Sequence, residues 1–377
     1  MPTLTSVIDT NIPNSLGSAG HVLTVNSGGN AAEWAAASGG ASASDDLYIA
    51  NPSSATNPTA SGTNAVAIGD SSTAGGNYAA AIGSFSVAGG VNAFSGLGTA
   101  NGNYAVALGV SSTANSERAV ALGNSAVTAA VKAIAIGYHS SASATSAAAI
   151  SRASASGADS FAAAIGTNNT GYGATATNSV SLGSYNKASG YQSAAVGGFG
   201  NVSNGNSSFV TGYQSYANGD FCFASGLYSK AAIYGTTAHA SGYFSGIGDA
   251  QGCKYILRSD TTDATAEAMT TNNSTAGSTN QIVAATDTCI TFSGTIVAMQ
   301  NGAQSYGSWE IKGLLVNDGG TTTLANSAIT VIQNASSWGL ALSADNTNNA
   351  LAITVTGEAS HNIRWVANIQ TAEVNYA

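Results

Sequence analysis

The sequence predicts an all-β chain: a parallel β-roll of short rungs, followed by a β-sandwich or jelly-roll-like domain. Three observations point there. A five-residue run recurs as AVAIG (65–69), AAAIG (79–83), AVALG (105–109), AVALG (119–123) and AIAIG (133–137), with a dominant spacing of 14 residues. Self-similarity at a short fixed period is the mark of a solenoid. From Lys254 the repeat gives way to longer alternating runs such as TCITFSGTIVAMQ (288–300), the pattern of conventional strands. Finally, only 7% of the residues are charged while 44% are apolar. Ordinary domains carry about a quarter charged residues, so this surface is covered by hydroxyls and amides or by neighbouring chains.

The elements follow in order. Residues 1–40 form an N-terminal module, with a strand at His21–Val25, a turn at 26–30 and a second strand through Trp34. Trp34 is either the local core or an anchor seated on a partner, with Val22 and Leu23 beside it. Residues 41–61 hold two of the four prolines without periodicity and read as a linker.

The repeat occupies 62–246. In AVAIG, Val66 and Ile68 share one face and Ala65 and Ala67 the other. The larger side chains are expected inside the coil, and the alanines against another copy of the chain. Gly69, Gly83, Gly109, Gly123, Gly137, Gly166, Gly183 and Gly197 close successive rungs and supply the positive φ of a sharp corner. One rung cannot bury its own apolar face, so stability comes from stacking. At roughly 4.8 Å per rung, the stack runs on the order of 60 Å. Between Tyr185 and Phe244 aromatics gather, which suits either aromatic packing or a row of rings stacking on sugars. Residues 247–377 read as the sandwich, built from runs including GSWEIKGLLVND, TTTLANSAITVIQ, NALAITVTGE and NIRWVANIQTAEVNYA.

The AVAIG/AVALG…S.A.G unit resembles the head repeat of trimeric autotransporter adhesins. That resemblance implies a left-handed roll and a homotrimer. GSAGHVLTVNSGGNAAEW (17–34) is similar to a short element near the front of phage tail-fibre proteins. GDAQGCKYILR (248–258) and ALAITVTGEASHNIRWVANIQTAEV (350–374) resemble a C-terminal domain recurrent in phage and prophage tail fibres. Together these imply a virion protein attached to tail, baseplate or capsid through its N-terminus.

The net charge is −9, with no basic patch, which argues against nucleic acid as a ligand. The opening shows no secretory signal, and no run of 18 apolar residues spans a membrane. An exported autotransporter needs both a leader and an anchor. The expectation is therefore folding in the host cytoplasm and release on a particle. Cys222, Cys253 and Cys289 are too scattered for a disulfide framework or a metal site and read as small hydrophobes.

Glycoside hydrolysis wants two carboxylates across a cleft. Glu310, Asp318, Asp345 and Glu358 show no pairing in sequence and read as surface or turn residues, and the four histidines are dispersed. No catalytic residue, cofactor or metal is assigned. The function expected is a homotrimeric tail fibre that binds a host-surface glycan or protein. The tip candidates are Tyr306, Trp309 and Trp338, aromatics near polar loops, whereas Trp365 alternates with apolar neighbours and belongs to the core. The alternatives are a non-adhesive fibre or decoration protein and, behind it, a polysaccharide-cleaving tailspike.

Overall fold

The computed structural model describes the backbone of residues 21–25 and 32–36, and residues 56–163, 171–302, 305–334 and 338–376 in full. It divides into two units, Met1–Asn51 and Pro52–Ala377. In the first, His21–Val25 pairs antiparallel with Ala32–Ala36, placing Leu23 opposite Trp34. The side chains of Val22, Leu23 and Trp34 lie outside the described residues.

The second unit opens with the roll. Through Ala163 the rungs pair a three-residue strand such as Val106–Leu108 with a two-residue strand such as Thr113–Ala114, and from Val180 the first strand lengthens, to six residues at Ala194–Phe199. Like strands stack in parallel register from rung to rung: Val106 on Val120, Ala107 on Ala121, Leu108 on Leu122. Two sheets result, and the two-residue one has thirteen strands among the described residues. It begins at Thr59–Ala60, inside the stretch read as linker. The interval 91–102 also proves to be a rung. Phe94–Gly96 pairs with its neighbours on both sides, and the unit is simply shortened.

Corners recur every seven residues. Ala65, Ser72 and Ala79 each donate an amide to the carbonyl three residues back, and the third residue of each turn, Asn64, Ser71 or Tyr78, holds a φ of 55–59°. That is the position at which a type II turn demands positive φ. Glycine fills the first position for a different reason. At Gly123, φ is 124° and a Cβ would stand 2.7 Å from the Gly137 carbonyl oxygen on the next rung. At Gly76 a Cβ would run into the backbone of Gly90.

The sidedness corrects the expectation. The interior is lined by the small residues, with Ala67, Ala81, Ala107, Ala121, Ala135 and Ala149 buried. Val66, Ile82, Leu108, Ile134, Ile136 and Ile150 point outward and remain 36–42% exposed. Two short strands joined by tight turns leave a narrow lumen that small side chains fill, with Thr128 and Val210 as branched exceptions, whereas ordinary stacked sheets stand about 10 Å apart. Several inward serines satisfy themselves locally: Ser72 Oγ donates to the Gly69 carbonyl at 2.9 Å and Ser86 Oγ to that of Ile82 at 2.8 Å.

Past the last rung the sheet does not stop. Thr237–Ala240 pairs antiparallel with Ala250–Thr261, which is followed across the sheet by Ile363–Asn375, Thr288–Gln300, Tyr306–Asp318 and Thr321–Asn334. Ala238 lies opposite Cys253, so the alanine interior passes directly into the C-terminal core. That core holds Phe292, Ile296, Trp309, Ile311, Trp365 and Ile369. A smaller sheet covers it, with Ala350–Thr356 flanked by Gly339–Asp345 on one side and by Ala266–Ala268 and Ile282–Val283 on the other.

Candidate functional site

Two surfaces of the second unit carry chemistry that the fold itself does not use. The first is the outer face of the three-residue sheet. Strand alternation turns the middle residue, usually alanine, in and its two neighbours out, so the outward residues align in columns. One column runs Val106, Val120, Ile134 and the next Leu108, Leu122, Ile136. The outer face of the two-residue sheet instead shows Thr73, Thr99, Thr113 and Ser141, with Val87 and Val127. The asymmetry gives the roll one apolar side.

The second surface is a cleft of about 700 Å³ at the far end of the long strands, lined by Asp260, Thr262, Met299, Asn301, Asn362 and Arg364 among others. Register brings it together: Arg364 lies opposite Asp260 on one neighbouring strand and Met299 on the other. Asp260 Oδ1 accepts a hydrogen bond from Asn273 Nδ2 at 2.8 Å. The ion pairs among the described residues are Glu117–Arg118 and Glu358–His361, so among these residues Arg364 has no carboxylate partner. The cleft offers carboxylate, guanidinium, amide and hydroxyl groups at one mouth, which is a hydrogen-bonding set suited to a polyhydroxylated molecule.

Of the aromatic tip residues, Tyr306 is 56% exposed and lies opposite Met299, a cleft residue. Trp309 and Trp338 are in the core, at 1% and 3% exposure, and this corrects the reading of both as glycan platforms. Trp309 is three residues beyond Tyr306, so alternation sends it to the opposite face. Its ring stacks on Trp365 with centroids 5.4 Å apart, and Trp338 packs on the same ring at 5.6 Å. The corner glycines Gly69, Gly83, Gly109, Gly123, Gly137, Gly183 and Gly197 all have positive φ, while Gly166 falls outside the described residues.

The aromatic cluster forms a ladder along one corner: Tyr172, Tyr185, Phe199, Tyr213, Tyr228 and Tyr243, with successive centroids 4.0–5.9 Å apart. Between Phe199 and Tyr213 the rings are nearly parallel. The other pairs are tilted or, at Tyr172–Tyr185, edge-on, and ring-on-ring contact along the whole ladder packs the roll.

The sequence marks the joint between roll and sandwich but not the carboxylates that hold it. Asp249 accepts backbone amides from Phe244, Ser245 and Gly246. Burial opposes its ionisation, but those amides outweigh burial and hold the carboxyl below its usual range. Nearby, Glu373 accepts from Tyr255 Oη at 3.2 Å, Thr371 Oγ1 at 2.7 Å and Gln251 Nε2 at 3.0 Å. Burial, then the Glu373 charge, pushes the Cys253 thiol far up. Among the described residues no three His, Cys, Asp or Glu side chains gather. Asp345 is a turn residue, accepting from the amides of Thr347 and Asn348.

Residues 60–93, 100–126 and 174–199 match the family model of the YadA head domain repeat, two copies of which make up that model. No curated protein matches the chain. Among solved structures, the tailspike protein of Acinetobacter baumannii phage AM24 is similar at 10% identity over 85% of this chain, with a TM-score of 0.19. The alignment spans 54% of that tailspike's length. The chain thus carries a YadA-head-type repeat in a β-solenoid, continued by a sheet-rich C-terminal region.

Proposed function

We propose that this chain is the subunit of a homotrimeric virion fibre, in which three rolls pack through their aliphatic faces and the C-terminal sheets form a host-binding tip. One observation carries the reading. Val66, Ile82, Leu108, Ile134, Ile136 and Ile150 stand 36–42% exposed on one face, with Val106, Val120 and Leu122 half-buried between them, on a chain that closes its own interior largely with alanine. Apolar surface in a contiguous stripe marks an interface. The repeat's likeness to the YadA head supports copies of the same chain as the occupants, and three is the number that likeness implies. Residues 1–40 serve as the attachment to tail, baseplate or capsid, and the particle assembles in the host cytoplasm.

The tip binds a cell-surface saccharide at the Asp260–Arg364 cleft with Tyr306 beside it, by hydrogen bonds more than by ring stacking. A fibre without a receptor role shares every feature except this last one. The burial of Trp309 and Trp338 removes the aromatic argument against it, so the cleft decides between the two. Sedimentation equilibrium of the full chain tests assembly: a mass three times that of the chain is expected, and a lone monomer overturns the reading. Binding to host cells or their extracted polysaccharide tests adhesion. It is expected for the native trimer and lost in an Arg364→Ala trimer, and equal binding by both removes the cleft from the account.

A further inference from the structure

Beyond the joint, the outer face of the long sheet changes chemistry. The column that carries Phe223 passes through Thr237 to Lys254, and the strands that follow set polar side chains where the roll sets aliphatic ones. Ser293 lies between Lys312 and Gln370, and Thr295 between Glu310 and Asn368. Alternation points all six outward; five are exposed and Asn368 is half-buried. Together they line a groove of about 380 Å³.

These side chains have no work within the fold. Among the described residues none of the six makes a side-chain hydrogen bond or an ion pair with the protein. The Asn368 side-chain oxygen is buried without a partner, although buried polar atoms are ordinarily satisfied. The groove is also clear of the roll's aliphatic face. Sheets turn by roughly 20–25° per strand, and Thr288–Gln300 is the third strand past Thr237–Ala240. The groove therefore points roughly 60–75° away from that face and stays open in an assembly closed through it.

The donor set selects the ligand. Glu310 only accepts, Lys312 only donates, and Ser293, Thr295, Asn368 and Gln370 do both, which matches hydroxyls that donate and accept at once. One acid and one base leave no net charge for a polyion. None of the six is an aromatic or arginine anchor of the kind that carries protein–protein contacts. We infer that this groove is a second saccharide subsite, taking a later stretch of the same neutral glycan chain that enters the Asp260–Arg364 cleft. The inference rests on the saccharide-binding reading and adds a place and a length requirement. On the strand Ile363–Asn375, Asn368 and Gln370 stand four and six residues beyond Arg364, roughly 13–20 Å away. Val366 and Val297, opposite one another and exposed, form the step between, an apolar patch for the C–H face of a sugar ring.

Calorimetry of the full-length fibre with disaccharide and octasaccharide fractions of host surface polysaccharide tests it. The native chain is expected to bind the octasaccharide ~10-fold or more tightly than the disaccharide, because joined subsites act at a high effective concentration. In Glu310→Ala with Lys312→Ala, which keeps the net charge, that gain disappears while disaccharide affinity stays native. A native chain without the gain, or a double variant that keeps it, overturns the groove and leaves the cleft standing. If Arg364→Ala binds both fractions as the native chain does while the double variant loses them, the cleft falls and the groove is the site. A native fibre that binds neither fraction defeats the saccharide reading, and the groove with it. Should the double variant fail to fold, Gln370→Ala on the opposite bank must show the same loss.

Discussion

Gly123 concentrates two costs at one atom. Its φ of 124° suits no L side chain, and an added Cβ would press on the carbonyl of Gly137 at 2.7 Å. Strain of this kind costs about 1–3 kcal/mol, and the stacked backbone has no slack to relieve the contact. Gly123→Ala is therefore expected to lower stability by about 2–4 kcal/mol, read as a drop in the thermal midpoint of the β signal. Gly242 has neither problem, with ordinary φ and nothing within 4 Å of a built Cβ, so Gly242→Ala should stay within about 0.5 kcal/mol of the native chain. The lumen gives a matching contrast. Ala121 is fully buried between Ala107 and Ala135, and Ala121→Leu overfills a space with no larger rotamer available. A loss of about 1–3 kcal/mol or failure to fold is expected, and a melt unchanged from native would contradict the alanine-lined interior.

At the scale of elements, the aromatic ladder and the Asp249 joint hold what the short strands cannot. Phe199 sits between Tyr185 and Tyr213, and each such pair adds roughly 0.5–1.5 kcal/mol beyond burial. Phe199→Leu keeps most of the volume and should cost about 1–2 kcal/mol, with saccharide binding unaffected; a lost affinity would give the ladder a sugar-stacking role. Asp249 adds a pH dependence. Its carboxyl titrates lower in the fold than in the unfolded chain, so its contribution is complete above the ordinary aspartate range and fades as pH falls through the folded value. The native chain is thus expected to be more stable than Asp249→Asn at pH 7, with the gap narrowing toward pH 3; a gap that is constant with pH would show that the carboxylate does not matter. These same elements mark how far the sequence was legible. The run TCITFSGTIVAMQ became the strand Thr288–Gln300 residue for residue, since alternation and turn residues are local. Which side of AVAIG faces inward was not local: two alternating faces look alike until corner geometry sets the lumen width. Nor was the cleft, because Asp260 and Arg364 meet only through the register of strands a hundred positions apart.

For the molecule as an assembly, the question is which side of the roll meets the next chain, and two variants, one on each sheet of the roll, answer it. Ile134 and Ile136 face outward from the three-residue sheet, each 38% exposed. Burying the rest of such side chains is worth of order 1 kcal/mol each, multiplied over three copies and along the column. Two aspartates there would be buried without partners in a closed interface, at a cost of several kcal/mol each, while a single chain could leave them in water. Ile134→Asp with Ile136→Asp is therefore expected to give folded monomers, with the β spectrum kept and the sedimenting mass cut to one third. Thr113 stands on the opposite sheet, in the rung of Val106–Leu108, and Thr113→Lys adds a charge as large to a side with no aliphatic column. That variant should remain a trimer. If it dissociates and the double aspartate does not, the chains meet through the threonine side, and the aliphatic column must be covered by something other than this protein.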